Sequence, residues 1–94
     1  MKIALFQANT KDNATKENIE RYKQILTNLD KDTDLLVFPE MFTTGFTIDT
    51  DYAEEMQGIS LEFLKQIVQE KDIAVDASIM IKEGEKYVNR HFFV

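Results

Sequence analysis

The sequence predicts an α/β fold with the element order βαβαββ. Three observations carry this. Two short apolar runs, Ile3-Ala4-Leu5-Phe6 and Leu35-Leu36-Val37-Phe38, flank a segment with helical periodicity. A second helical segment then leads into a third apolar run at Ile73-Ala74-Val75. After a turn, Tyr87 to Val94 is rich in aromatic and β-branched residues.

Taken in order, the first run is continuous rather than alternating, which predicts a strand buried on both faces as in a parallel sheet. Asn13 is placed to cap a helix in which Ile19, Tyr22, Ile25, Leu26 and Leu29 recur at helical spacing. Glu17, four residues before Arg21, adds a favourable surface pair. The second run ends at Pro39, which has no N–H to give a strand ladder. Strand, helix, strand implies a right-handed crossover with parallel strands. From Glu40 to Ile59 no period holds, and Gly45 with Asp49-Thr50-Asp51 predicts a long irregular loop. Ser60 is a candidate cap for a helix whose apolar face is Leu61, Leu64, Ile67 and Val68. The third strand runs from Ile73 toward Ile81, Lys82-Glu83-Gly84-Glu85 turns the chain, and Tyr87 to Val94 returns as an antiparallel partner.

Ninety-four residues have room for one core and not two, since a chain of this size buries roughly 60 to 70% of its unfolded surface. With 44% hydrophobic and 30% charged residues, three glycines and one proline, the composition is that of a packed globular chain. A formal net charge of −6 without a basic stripe argues against nucleic acid and anionic membrane as partners. The apolar start is too brief for a signal-peptide core and no stretch is long enough to span a bilayer, so the expected compartment is cytoplasmic. Zero cysteines leave no disulfide, thiolate metal site or thiol nucleophile among these residues. The chain ends at Phe92-Phe93-Val94, inside an apparent strand, and is expected to be one partial domain over residues 1–94.

In open α/β sheets ligands bind beyond the carboxyl ends of the parallel strands, and Glu40 falls there, two residues after Phe38. A carboxylate walled by Phe38, Met41, Phe42 and Phe46 is partly desolvated and suited to trade protons. By position alone it is more often an ordinary solvated acid opening a loop. His91 lacks a second ligand at metal-binding spacing, which favours a structural or surface role. Asp49, Asp51, Glu54 and Glu55 lack the glycine and alternation of a calcium loop and read as a solvated face. Phe42, Phe46, Phe92 and Phe93 are candidates for a pocket wall or for core. Asn89 is a polar residue in an apolar strand, at a site edge or on an exposed strand face.

The segment Leu35-Leu36-Val37-Phe38-Pro39-Glu40-Met41-Phe42-Thr43-Thr44-Gly45-Phe46 resembles the glutamate motif of the nitrilase superfamily of carbon-nitrogen hydrolases. Its portion from Pro39 to Phe46 is most similar to the omega-amidase branch. Lys2-Ile3-Ala4-Leu5-Phe6-Gln7, Ile73-Ala74-Val75 leading to Ala77-Ser78, and Val88-Asn89-Arg90 agree in order and spacing, so the resemblance covers the whole chain as the first part of a family member. It implies the N-terminal part of an αββα sandwich and a Glu-Lys-Cys triad without cofactor. In such a triad the cysteine attacks a small-molecule amide, the glutamate takes the thiol proton and the lysine stabilises the oxyanion. Glu40 matches the glutamate. None of the lysines, Lys82 and Lys86 included, stands in the context of the catalytic lysine, so lysine and cysteine are both expected beyond Val94. Two departures stand out: Ala77 where relatives carry glycine before the serine, and Asp76 in a strand expected to be buried, where an unpaired carboxylate is costly.

The resemblance implies an amidase acting on a small amide; the alternatives are a stand-alone α/β binding module or an inactive truncated domain. A response regulator needs acidic residues after its first strand, where this chain has Gln7-Ala8-Asn9, and no glycine-rich phosphate loop follows any strand. The bare strands of an incomplete sandwich imply a homo-oligomer or self-association.

Overall fold

A computed structural model describes all residues from Met1 to Val94. Strands β1 (Ile3–Leu5), β2 (Leu35–Val37), β3 (Ala74–Glu83) and β4 (Lys86–Phe93) alternate with helices α1 (Thr15–Leu26) and α2 (Ile59–Lys71) in the order βαβαββ. The sheet order is β1-β2-β3-β4, with β1, β2 and β3 parallel and β4 antiparallel to β3. Sequential order with right-handed crossovers puts both helices on one face. A tight two-residue turn closes the β3–β4 hairpin, with Gly84 at φ 59, a backbone region glycine enters without strain.

The core lies between that face and the helices. Ile19, Tyr22 and Leu26 of α1 and Leu61, Phe63, Leu64 and Ile67 of α2 pack on Leu36, Val75, Ala77, Ile79 and Ile81. Phe38, Phe42 and Phe63 continue it as an aromatic cluster, with Phe38 and Phe42 centroids 4.5 Å apart. Burying such rings stabilises by about 1.5–3 kcal/mol each.

The opposite face of the sheet has no helical layer over it; only around Met80, beside Met41 and the loop after it, is it covered. Leu5, Val37, Asp76 and Phe93 are register partners in one row across the four strands, and Leu5 is 75% and Phe93 69% exposed. The first strand is therefore buried on one face only, and its continuous apolar run matches a sheet needing cover on both sides.

Several local expectations shift. Helix α1 starts at Thr15 with Ala14 at the cap position, while Asn13 is left-handed (φ 54) and donates its N–H to Thr44 O. Glu17 pairs with Lys11 at 3.1 Å rather than with Arg21, which reaches back to Asn9 O. Gly58 occupies the cap of α2, and Ser60 lies buried in the first turn, donating its N–H to Glu54 Oε1 at 2.8 Å and its hydroxyl to Glu54 Oε2. Glu54 is thus the anionic cap of α2, with the sign the helix dipole favours, and not part of a solvated face. Its backbone also bridges to β3, with Glu54 N–H to Met80 O at 2.9 Å and Lys82 N–H to Glu54 O at 2.8 Å. The segment from Glu40 to Ile59 is therefore anchored, with one short 3₁₀ turn at Thr50–Tyr52.

Candidate active site

Strand β2 delivers Glu40 to the carboxyl end of the parallel strands. Phe38 N–H still pairs with Asp76 O at 2.9 Å; Pro39, lacking a donor, ends the ladder, and Glu40 begins a turn. Met41 follows with φ 49, a left-handed conformation uncommon for a residue with a side chain. The chain then folds inward, burying Met41, Phe42, Thr43 and Thr44.

Side chains from three elements satisfy the backbone of this loop. Ser78 Oγ accepts from Met41 N–H at 2.9 Å, and Ser78 O accepts from Phe42 N–H at 3.3 Å. Tyr22 donates its hydroxyl to Phe42 O at 2.7 Å, and Asn18 Nδ2 donates to Thr43 O at 2.8 Å. The Thr43 and Ser60 hydroxyls share a hydrogen bond of 2.7 Å. Asn18 also binds Lys11 N–H and Lys11 O, so one buried amide ties two loops to α1. A buried polar network that is fully satisfied specifies one backbone path, because any other leaves costly unpaired groups.

The Glu40 carboxylate reaches toward β4, where Asn89 Nδ2 donates to Glu40 Oε2 at 3.1 Å. Both side chains border a shallow groove of about 390 Å³ on the bare sheet face, together with Asp76, Ser78 and His91, floored by Phe38 and Ala77. Asp76 accepts from His91 across the β3–β4 pair. Asp76 thus finds a partner on the uncovered face, which removes the cost of an unpaired buried carboxylate. Ser78 and His91 are direct register partners, but the Ser78 hydroxyl is engaged with Met41 and not with the imidazole.

The expected apolar wall around Glu40 is reduced to Phe38, which borders the groove. Phe42 turns into the core, Met41 is buried on the side of Met80 and Asn89, Phe46 is 74% exposed, and Glu40 itself is exposed. Proline and the left-handed Met41 send alternate side chains to opposite sides, so neighbours in sequence do not share a surface. Of the other aromatic candidates, Phe42 is core, Phe92 packs against its edge, and Phe93 lies on the bare face. Asp49, Asp51 and Glu55 are exposed, and no group of three or more His, Cys, Asp or Glu is placed to hold a metal ion. A cavity of about 410 Å³ between α1 and α2 has Lys16, Glu20, Lys23 and Glu62 at its rim and lies across the sheet from Glu40.

Sequence reasoning missed Ser78, Asn18, Tyr22 and Glu54 as supports of the site. For Asn18 a signal existed: an amide one position from Ile19 and four from Tyr22 falls on the buried flank of the helix, where a polar group needs partners.

The carbon-nitrogen hydrolase family matches residues 2–94. An (R)-stereoselective amidase from a Pseudomonas species is 38% identical over 78 residues, covering 80% of this chain and 28% of that protein. Among solved structures, a CN-hydrolase superfamily protein from Xanthomonas campestris, carrying an arsenic adduct in its active site, superimposes with a TM-score of 0.91. It is 27% identical, over 98% of this chain and 35% of that one. A Saccharomyces cerevisiae member of branch 10 of the nitrilase superfamily, 19% identical, shares the fold with a TM-score of 0.74 over 99% of this chain and 39% of its own. The chain thus spans about 28% of the curated relative's length, and its layers of two helices and a four-stranded sheet are those of the N-terminal portion of the αββα sandwich.

Proposed function

We propose, on the premise that this chain belongs to the carbon-nitrogen hydrolase family, that it is the glutamate-bearing portion of an amidase hydrolysing a small amide to an acid and ammonia. The observation that carries this reading is the placement of Glu40. It stands at the carboxyl end of the parallel strands, on a loop clamped from α1, α2 and β3, with its carboxylate held by Asn89 over an open groove.

In this reading Glu40 is the general base. It takes the proton of a cysteine thiol, the thiolate attacks the amide carbonyl, and the tetrahedral adduct collapses to a thioester as the carboxyl returns that proton to the departing ammonia. A water molecule, deprotonated by the same carboxylate, then releases the acid and regenerates the thiol. A lysine stabilises the oxyanion through both steps. The cysteine and lysine come from outside these residues, and the chain by itself is silent, since no thiol is present to be deprotonated. The exposure of Glu40 suits this role: an uncovered carboxylate over a groove is where a second layer can deliver a nucleophile and exclude water.

The motif from Pro39 to Phe46 favours an omega-amidase, acting on monoamides of dicarboxylic acids. The groove's ionisable lining here is Glu40, Asp76 and His91, so a distal carboxylate is to be gripped by the His91 N–H or by cations outside this chain.

The test is a chimera in which this chain replaces the matching segment of the Pseudomonas amidase. Amide hydrolysis is expected, and Glu40→Gln is expected to lower turnover by about two to four powers of ten with the fold intact. A folded chimera whose Glu40→Gln variant turns over amide at an undiminished rate removes Glu40 from catalysis.

A further inference from the structure

We propose that Ser78 is the positioning residue for Glu40, acting by pinning Met41 in its left-handed conformation; the catalytic consequence rests on Glu40 being the base, but the geometry does not. Ser78 lies at the middle of β3, on the face that carries the groove, opposite His91. Its hydroxyl oxygen accepts Met41 N–H at 2.9 Å and its carbonyl accepts Phe42 N–H at 3.3 Å. One residue therefore takes both backbone donors that follow Glu40.

Met41 needs such a hold. With φ at 49 and an unbranched apolar side chain, it occupies a region that L-residues leave unless the surroundings over-determine it. The reversal at Met41 is what separates the two side chains around it. Phe42 goes into the core, Met41 is buried on the side of Met80 and Asn89, and Glu40 turns across β3 to meet Asn89, a diagonal neighbour of Ser78 in the β3–β4 register. The Ser78 hydroxyl has no other hydrogen bond, so its service to β3 is nil. Without it, Met41 N–H loses its acceptor, the right-handed region becomes the lower-energy choice, and the carboxylate swings off Asn89.

The experiment uses the 94-residue chain, labelled with ¹⁵N, and needs no substrate, so it succeeds or fails independently of whether Glu40 is a catalytic base. In the wild-type chain, Glu40→Gln is expected to shift the Asn89 side-chain amide resonances, which report the contact. In a Ser78→Ala background that response is expected to be lost, and Met41 amide exchange to rise about tenfold, the factor for losing one ordinary hydrogen bond. Ser78→Thr, which keeps the hydroxyl in a strand-compatible side chain, is expected to restore both. A hydroxyl with a merely structural role lowers stability yet leaves Asn89 responsive to Glu40, and that result overturns the proposal. Should the alanine chain fail to fold, Ser78→Cys, nearly isosteric but a poor acceptor, carries the same test: loss of the response supports the proposal, and a full response overturns it.

Discussion

Asn89 Nδ2 donates to Glu40 Oε2 at 3.1 Å, joining the outer strand of the hairpin to the loop after β2 across 49 positions of sequence. The bond is exposed, so its contribution to stability is small, whereas its effect on where the carboxylate points is direct. In the chimera described above, Asn89→Ala is expected to change unfolding free energy by less than about 0.5 kcal/mol and to lower kcat about ten- to a hundredfold. Denaturant titration and steady-state kinetics on the same preparation check both halves.

Asn18 and Tyr22 hold successive carbonyls of the loop from one face of α1, and their loss separates by the number of partners stranded. Asn18→Ala orphans Thr43 O together with both backbone groups of Lys11 and is expected to cost about 2–4 kcal/mol. Tyr22→Phe removes one hydroxyl shared by Phe42 O and Thr10, leaves Thr10 still donating to Phe42 O, and keeps the ring in place, for about 1–2 kcal/mol. Urea unfolding monitored by circular dichroism gives both values; equal losses contradict the accounting.

Gly58 is required by contact rather than by conformation. Its φ of −72 suits any residue, but a Cβ there lies 2.4 Å from Glu54 Oε1 and 2.8 Å from Glu54 Cβ. Gly58→Ala is therefore expected to displace the Glu54 cap and destabilise by about 1–3 kcal/mol. A stability equal to wild type in thermal unfolding removes Glu54 from its capping role.

Lys2 binds Asp30 at 2.6 Å and Asp32 at 2.9 Å at the surface where β1 meets the turn before β2. Donating to Asp30, and next to Asp32, raises the Lys2 pKa; accepting from Lys2 lowers that of Asp32. The signs fix the windows. The Asp32 contribution is present above its ordinary value of 3.8 and is lost as pH falls through the depressed folded value; the Lys2 contribution is present below 10.5 and is lost as pH rises through the elevated one. Lys2→Gln is expected to return the Asp32 carboxyl to its ordinary titration by NMR, and 1 M salt to weaken the pair by screening.

The row of Leu5, Val37 and Phe93 on the bare face, beside the unpaired edge of β4, leads us to expect concentration-dependent self-association of the isolated chain. Leu5→Lys places a charge at the β1 end of that row and is expected to shift sedimentation toward monomer. A wild-type chain that stays monomeric at high concentration contradicts the expectation.

Much of the fold was legible because its signals are local. Ile19, Tyr22 and Leu26 mark α1 through spacing, Leu35 to Pro39 marks a strand and its end, and Gly84 marks the hairpin turn. Glu40 was legible too, through the motif from Leu35 to Phe46 and its place after β2. The caps were less so: Asn13 and Ser60 have the right chemistry for capping, yet the chain starts each helix one or two residues elsewhere because Thr44 O and the Glu54 carboxylate compete for their N–H groups.

The amino-acid sequence by itself determined the order of elements, the family and the residue at the strand end, since periodicity, turn chemistry and motif are read along neighbouring positions. Only the tertiary structure decided what surrounds that residue. The partners of the Glu40 loop lie 20 to 49 positions away, at Ser78, Tyr22, Asn18 and Asn89, and the left-handed turn at Met41 precedes Phe42, which lies in the core instead of around the carboxylate. Such contacts depend on sheet register and on which face each crossover helix covers, quantities set by the packing of the whole chain and carried by no single stretch of it.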